Sequence, residues 1–229
     1  MREEFQSGLD RLERMVQEMS DMCARALHDA LAALQSHDGA SADDVIAFDD
    51  EVDGHFIAIE RGVEELIATQ APVAGDLRLA LAILHINLHL ERIADQCVNI
   101  AKLTKLSEPV GFRPQLVDAF VEMGSRAEQM LRVAMDSFAN RDAERAETLT
   151  DLDELIDEEN KALSRKVIAG GSSVEAQEAG LRAMLISRCI ERIGDNAVDI
   201  GEQVAFVVTG LFREFTDASH PAVAGPPAV

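Results

Sequence analysis

The chain has 229 residues, 47% of them hydrophobic, and a net charge of −21, which argues against a nucleic-acid backbone or an anionic lipid surface as its main partner. Three cysteines (Cys23, Cys97 and Cys189) without CxxC spacing indicate neither a disulfide framework nor a thiolate zinc site, and reduced thiols are the default. The stretch MREEFQSGLDRLERM lacks a signal-peptide pattern and no run of ~18 uninterrupted apolar residues occurs, so a cytoplasmic protein without membrane insertion is expected.

Good helix formers dominate, aromatic residues make up only 4%, and Gly and Pro cluster at a few places, which favours an all-α fold. Apolar residues at helical spacing, among them Leu9, Leu12, Val16, Met19, Cys23 and Leu27, predict a first helix over 3–36, ended by His37-Asp38-Gly39. Ser41 with Asp44 reads as a capping box opening a second helix over 42–69, striped by Val45, Val52, Ile59, Val63 and Leu66. Pro72 breaks the pattern. A third helix over 75–106 then carries Leu79, Ile83, Ile86, Leu90, Ile93, Cys97 and Ile100, alternating steps of four and three that bury one seam against neighbouring helices.

Two prolines and a glycine mark residues 107–114 as a linker. The plan then repeats with helices over 114–139 and 142–169. Gly170-Gly171-Ser172-Ser173 forms a turn in which Ser172 and Glu175 read as a capping box, and a sixth helix over 174–210 repeats the seam with Ala183, Ile186, Ile190, Ile193, Ala197 and Ile200. The expected architecture is two tandem three-helix bundles, residues 1–106 and 115–212, with antiparallel neighbours and a disordered tail over 213–229.

An internal duplication supports the two halves. Residues 91–100 read ERIADQCVNI and 191–200 read ERIGDNAVDI, an offset of 191 − 91 = 100. Within these segments Glu91, Asp95 and Asn99 step by four along one helix face, as do Glu191, Asp195 and Asp199, with Glu202 returning to that stripe. The preceding helix of each half carries a matching pair, Asp49 with Asp53 and Asp153 with Asp157. Counting from the turns sets Asp53 level with Glu91 and Asp153 level with Glu191, about 24 Å from each turn at ~1.5 Å per residue. Four carboxylates on adjacent helices repel one another, and an oxygen-seeking cation would relieve that repulsion. The competing reading is a solvated acidic face with Arg92 and Arg192 as counter-charges.

Other signals are weaker. His85 and His89 have the i, i+4 spacing of a metal pair, but Leu185 and Cys189 stand at the duplicated positions, which favours packing. The Glu-x-x-His of di-iron bundles is absent, as are GxxxxGK[ST], GxGxxG and GxSxG.

The twin ERIADQCVNI and ERIGDNAVDI segments, FDDEVD at 48–53 with DLDELID at 151–157, and TQAPVAGDLR at 69–78 together resemble the PhoU family, over residues 3–212. The resemblance implies paired three-helix bundles with surface motifs that bind iron or other metals such as zinc, manganese or magnesium. It also implies no enzymatic activity, but negative regulation of phosphate uptake and phosphate-starvation signalling. The implied partners are the ATPase subunit of a phosphate ABC transporter and a sensor histidine kinase, with a homodimer also plausible for helical bundles. By position the family's metal motif falls on Asp49, Asp53, Glu91 and Asp95, and on Asp153, Asp157, Glu191 and Asp195, extended by Asn99 and Asp199. The halves differ: Lys102 stands where Glu202 does, so the first site carries less negative charge. A metal-dependent hydrolase, a metal-storage bundle and a purely structural adaptor are the rival readings.

Overall fold

Side chains three and four residues apart share one face of a helix, and the apolar stripes of the chain bury themselves accordingly. The computed structural model describes residues 2–107, 111–168 and 173–215. These form α1 (Arg2–Ser36), α2 (Gly39–Gln70), α3 (Gly75–Ser107), α4 (Pro114–Asn140), α5 (Ala143–Glu147), α6 (Leu149–Ile168) and α7 (Val174–Thr209), with no strand among the described residues. Helices α1, α2 and α3 pack on one another, and α4, α6 and α7 do the same, giving the two expected bundles. The heptad seams of α3 and α7 are fully buried at Ile83, Ile86, Leu90 and Ile93 and at Ile186, Ile190 and Ile193.

Local chemistry decides the helix ends. Asp38, not Ser41, caps α2: its carboxylate accepts from the Ala40 N–H at 3.0 Å and from the Ser41 hydroxyl at 2.6 Å. The helix therefore starts three residues before the expected position, because an Asp side chain satisfies the free N-terminal amides better than a serine already engaged by it. At α7 the cap is Ser173, accepting from the Ala176 N–H; the expected cap Ser172 and residues 108–110 of the expected linker lie outside the described residues. The expected fifth helix is two helices. The Thr148 hydroxyl donates to the Arg145 carbonyl and the Thr150 hydroxyl to the Glu147 carbonyl, side-chain bonds that compete with the helical ladder and divide α5 from α6.

The two bundles share a core. α3 lies along α7 and α1 lies against α4, and the buried apolar residues of both halves form one continuous cluster. Glu13 of α1 pairs with Arg141, the left-handed residue that ends α4. Gly210 ends α7 with φ 75°, and the Arg78 guanidinium of α3 lies 3.4 Å from where its Cβ would be, a cation at the negative end of the helix.

Residues 213–215, expected in the disordered tail, are placed against the second bundle, and the rest of that expected tail, 216–229, lies outside the described residues. The chain turns back after α7 so that Phe215 is buried against Gly201, and the Phe215 N–H donates to the Glu202 carboxylate at 2.7 Å. Arg213 pairs with Glu147 of α5. Glu202, expected on the acidic stripe, is thus buried and engaged by this return.

Candidate metal centre: two acidic clusters

The antiparallel hairpin of α2 and α3 brings the first four carboxylates together. Asp53 and Asp95 each raise the pKa of Asp49, and Asp95, Asp53 and Asp49 each raise that of Glu91. Partial burial is the larger cause at both residues, and the neighbouring negative charges add to it. Asp49 and Glu91 are half-buried, while Asp53 and Asp95 are exposed. Among the described residues Lys102 is a cation that eases Asp49, and Arg92 does the same for Glu91. This cluster is the expected one.

The second cluster is built differently. Glu191 is buried at 8% exposure; burial raises its pKa, Asp195 and Asp157 raise it further, and Arg188 and Lys161 oppose them. Arg188 pairs with one oxygen of Glu191, and Asn160 donates its side-chain N–H to the other. Lys161 lies 3.4 Å from Asp157. Asp157 rather than Asp153 is thus the residue facing Glu191. Asp153 is itself buried, with its Oδ1 3.0 Å from where a Cβ on Gly194 would be. The absence of that Cβ lets the carboxylate lie against the α7 backbone. Sequence reasoning passed over Arg188, Asn160 and Lys161, although Arg188 stands three residues before Glu191 and Lys161 four after Asp157, both helix-neighbour spacings.

The third members of the two stripes leave their clusters. Four residues turn a helix by about 40° beyond a full turn, so a stripe of this step drifts around the axis. Asp199 reaches the α3–α7 seam, where its carboxylate lies 3.3 Å from His89 Nδ1, and the Asn196 amide oxygen is 2.9 Å from the same nitrogen. Asn99 lies at the other end of that seam, in a cleft with Lys102, Arg188 and Arg192. His89 is therefore a seam residue, while His85 is exposed. Among the described residues no three His, Cys, Asp or Glu side chains stand close enough to hold one ion as they are placed. The donor set of the first cluster nevertheless suits a hard cation: four carboxylates, partly exposed, with their repulsion only partly offset.

Burial holds the thiols protonated. Cys23 and Cys97 are buried and their pKa values are pushed far up; that of half-buried Cys189 is raised to about 11.

A family model described as the PhoU domain matches residues 16–104 and again 120–204, one match in each bundle. The chain belongs to the PhoU family. Its relatives include a phosphate-specific transport system accessory protein PhoU homolog of Caulobacter vibrioides, 31% identical over 196 residues, 85% of each chain. Another of the same description, from Pseudomonas aeruginosa, is 29% identical over 95% of this chain and 88% of its own. The crystal structure of PhoU from P. aeruginosa superposes with a TM-score of 0.85 at 28% identity, covering 90% of this chain and 100% of that one. That of the phosphate transport system regulatory protein PhoU from Streptococcus pneumoniae gives 0.84 at 26%, covering 91% and 99%. The tandem bundles are therefore the PhoU fold, and the proteins that share it here are named as accessory or regulatory proteins of phosphate transport, not as enzymes. No helix among the described residues is long and apolar enough to cross a membrane.

Proposed function

We propose that this PhoU protein regulates phosphate uptake as the accessory protein of a phosphate-specific transport system, and that it does so as a negative regulator. It would dock on the transporter's ATPase subunit in the cytoplasm and pass the state of the transporter to a sensor histidine kinase. The observation that carries this reading is the match of both bundles, over most of the chain, to proteins named for that system. Deleting the gene should switch on phosphate-starvation reporters in phosphate-rich medium. Unchanged reporters would remove the regulatory assignment.

A metal belongs to the same proposal. Asp49, Asp53, Glu91 and Asp95 would hold it in the first bundle, with iron the leading candidate. Asp153, Asp157, Glu191 and Asp195 are the counterparts in the second. A bound cation would neutralise the carboxylates and stiffen the α2–α3 surface for a partner. The first cluster is the better candidate, because Arg188, Lys161 and Asn160 already meet part of the charge in the second. Elemental mass spectrometry of wild type, Asp95→Asn and Asp195→Asn should show metal loss greatest in Asp95→Asn. Equal, substoichiometric metal in all three would leave the acidic faces as solvated surface.

A further inference from the structure

The duplication supplies an internal control for the seam between the bundles. Because α3 and α7 are repeats offset by 191 − 91 = 100 and lie against each other, the two ends of their contact are built from equivalent positions. At one end stand His89, Asn196 and Asp199, a histidine with a carboxylate and an amide on the facing helix, and Glu202 follows Asp199 on that helix, buried under the Phe215 return. The equivalent positions at the other end are Cys189, Gln96, Asn99 and Lys102, so both acids are gone and one has become a cation. Leu88 of the first end is matched by Arg188 of the second, while Arg92 and Arg192 are conserved between the repeats.

The second end is open. A cleft of about 410 Å³ lies there, walled by Gln96, Asn99, Lys102, Arg188, Cys189 and Arg192, with Leu103 and Leu185 completing it. No Asp or Glu lines it, in a chain with 42 of them against 21 Lys and Arg. Lys102 and Arg192 form no salt bridge among the described residues, and Arg188 pairs with the buried Glu191. Lys102 and Arg192 with two amides, beside a thiol kept neutral, form a donor set with no carboxylate in the cleft itself, and Arg188 joins it by leaving Glu191. The acids of the two clusters stand outside the cleft, Asp49 near Lys102 and Glu191 near Arg188.

We propose that the cleft between α3 and α7, lined by Lys102, Arg188, Arg192, Gln96 and Asn99, is a binding site for a small phosphate-type dianion, free or as a phosphomonoester. Arg192 and Lys102 would meet the charge from the two helices, Arg188 would swing from Glu191 to join them, and the amides of Gln96 and Asn99 would donate to the remaining oxygens. The cleft exceeds the size of inorganic phosphate alone, and Leu103 with Leu185 could cover the organic part of an ester. The site rests on the charge and geometry of the seam and stands whether or not the regulatory reading above holds.

Calorimetric titration of the full chain with inorganic phosphate and with glycerol 2-phosphate, against sodium chloride at matched ionic strength, tests it. Binding of either ligand, weakened at least tenfold in Lys102→Glu/Arg192→Glu and unchanged in the distant charge variant Lys166→Glu, is the expected result. Tighter binding of the inorganic ion identifies the free anion as the ligand; tighter binding of the ester identifies a phosphomonoester. Cys189 gives a local check, since it borders the cleft while Cys23 and Cys97 are buried: the bound anion should slow its alkylation in wild type and not in the double variant. No binding by either ligand, or equal affinity in the double variant with its helical circular dichroism intact, overturns the proposal. The single variant Arg192→Gln serves if the double variant fails to fold.

Discussion

At the scale of single residues, the two acidic clusters show how the same sequence pattern meets different surroundings. Asp49 and Glu91 carry raised pKa values, first from partial burial and then from neighbouring carboxylates. A carboxyl group with a higher pKa in the folded than in the unfolded state binds protons more readily when folded, so its contribution to stability falls as pH rises through that interval. The penalty is absent below the ordinary carboxylate range, under about pH 3, and fully present at neutral pH. In chelator-treated protein, Asp49→Asn and Glu91→Gln should each stabilise at pH 7, by on the order of 0.5 kcal/mol for such part-exposed charges, and the gain should shrink through the carboxylate range and vanish below about pH 3. Thermal melts at both pH values check this; a loss of stability at pH 7 would show that the charged carboxylates are already compensated. Glu191 differs because Arg188 and Asn160 hold both of its oxygens.

Among the elements, the return after α7 is the feature that the hydropathy pattern concealed. A short stretch with two Phe, Phe212 and Phe215, shows no periodicity, and nothing in it announces that the Phe215 ring will settle over Gly201. A Cβ on Gly201 would stand 3.2 Å from that ring and 2.6 Å from Leu149, so glycine is what allows α5, α6 and the return to crowd onto α7. Phe215→Ala should cost roughly 1–3 kcal/mol, the burial of one aromatic side chain, seen as a lower urea midpoint with the slope unchanged. An unchanged midpoint would mean that the return adds nothing to the folded state. The break at Thr148 has the same character: threonine hydroxyls that bond back to Arg145 and Glu147 split what apolar spacing alone presents as one helix.

For the molecule as a whole, duplication suggests two independent units and packing makes them one. α3 and α7 form the spine, α1 and α4 close a second contact, and one apolar cluster runs through both bundles. Separating the halves would expose that shared surface, so neither bundle has a core complete without the other. Calorimetry should therefore show a single unfolding transition whose van't Hoff and calorimetric enthalpies agree. Two resolved transitions would instead establish the bundles as separate folding units. His89 with Asn196 and Asp199 joins the halves at one end of the spine, and the basic cleft lies at the other.

The all-helical class, the six long apolar segments, the twofold repeat and the first four-carboxylate cluster were all legible in the sequence. Each depends on periodicity within one helix or on register across one short hairpin, and both follow from residue spacing. The facing of Asp157 rather than Asp153 towards Glu191 was not legible, since a drift of one helical turn exceeds what counting from uncertain helix ends can resolve. Nor was the departure of Asn99 and Asp199 from their stripes, because spacing says which residues share a face but not which neighbour that face meets. The pairing of α3 with α7 decided that. It joins His89 to Asn196, 107 residues further along the chain, and no local pattern records which of the buried seams will face each other once both bundles have formed.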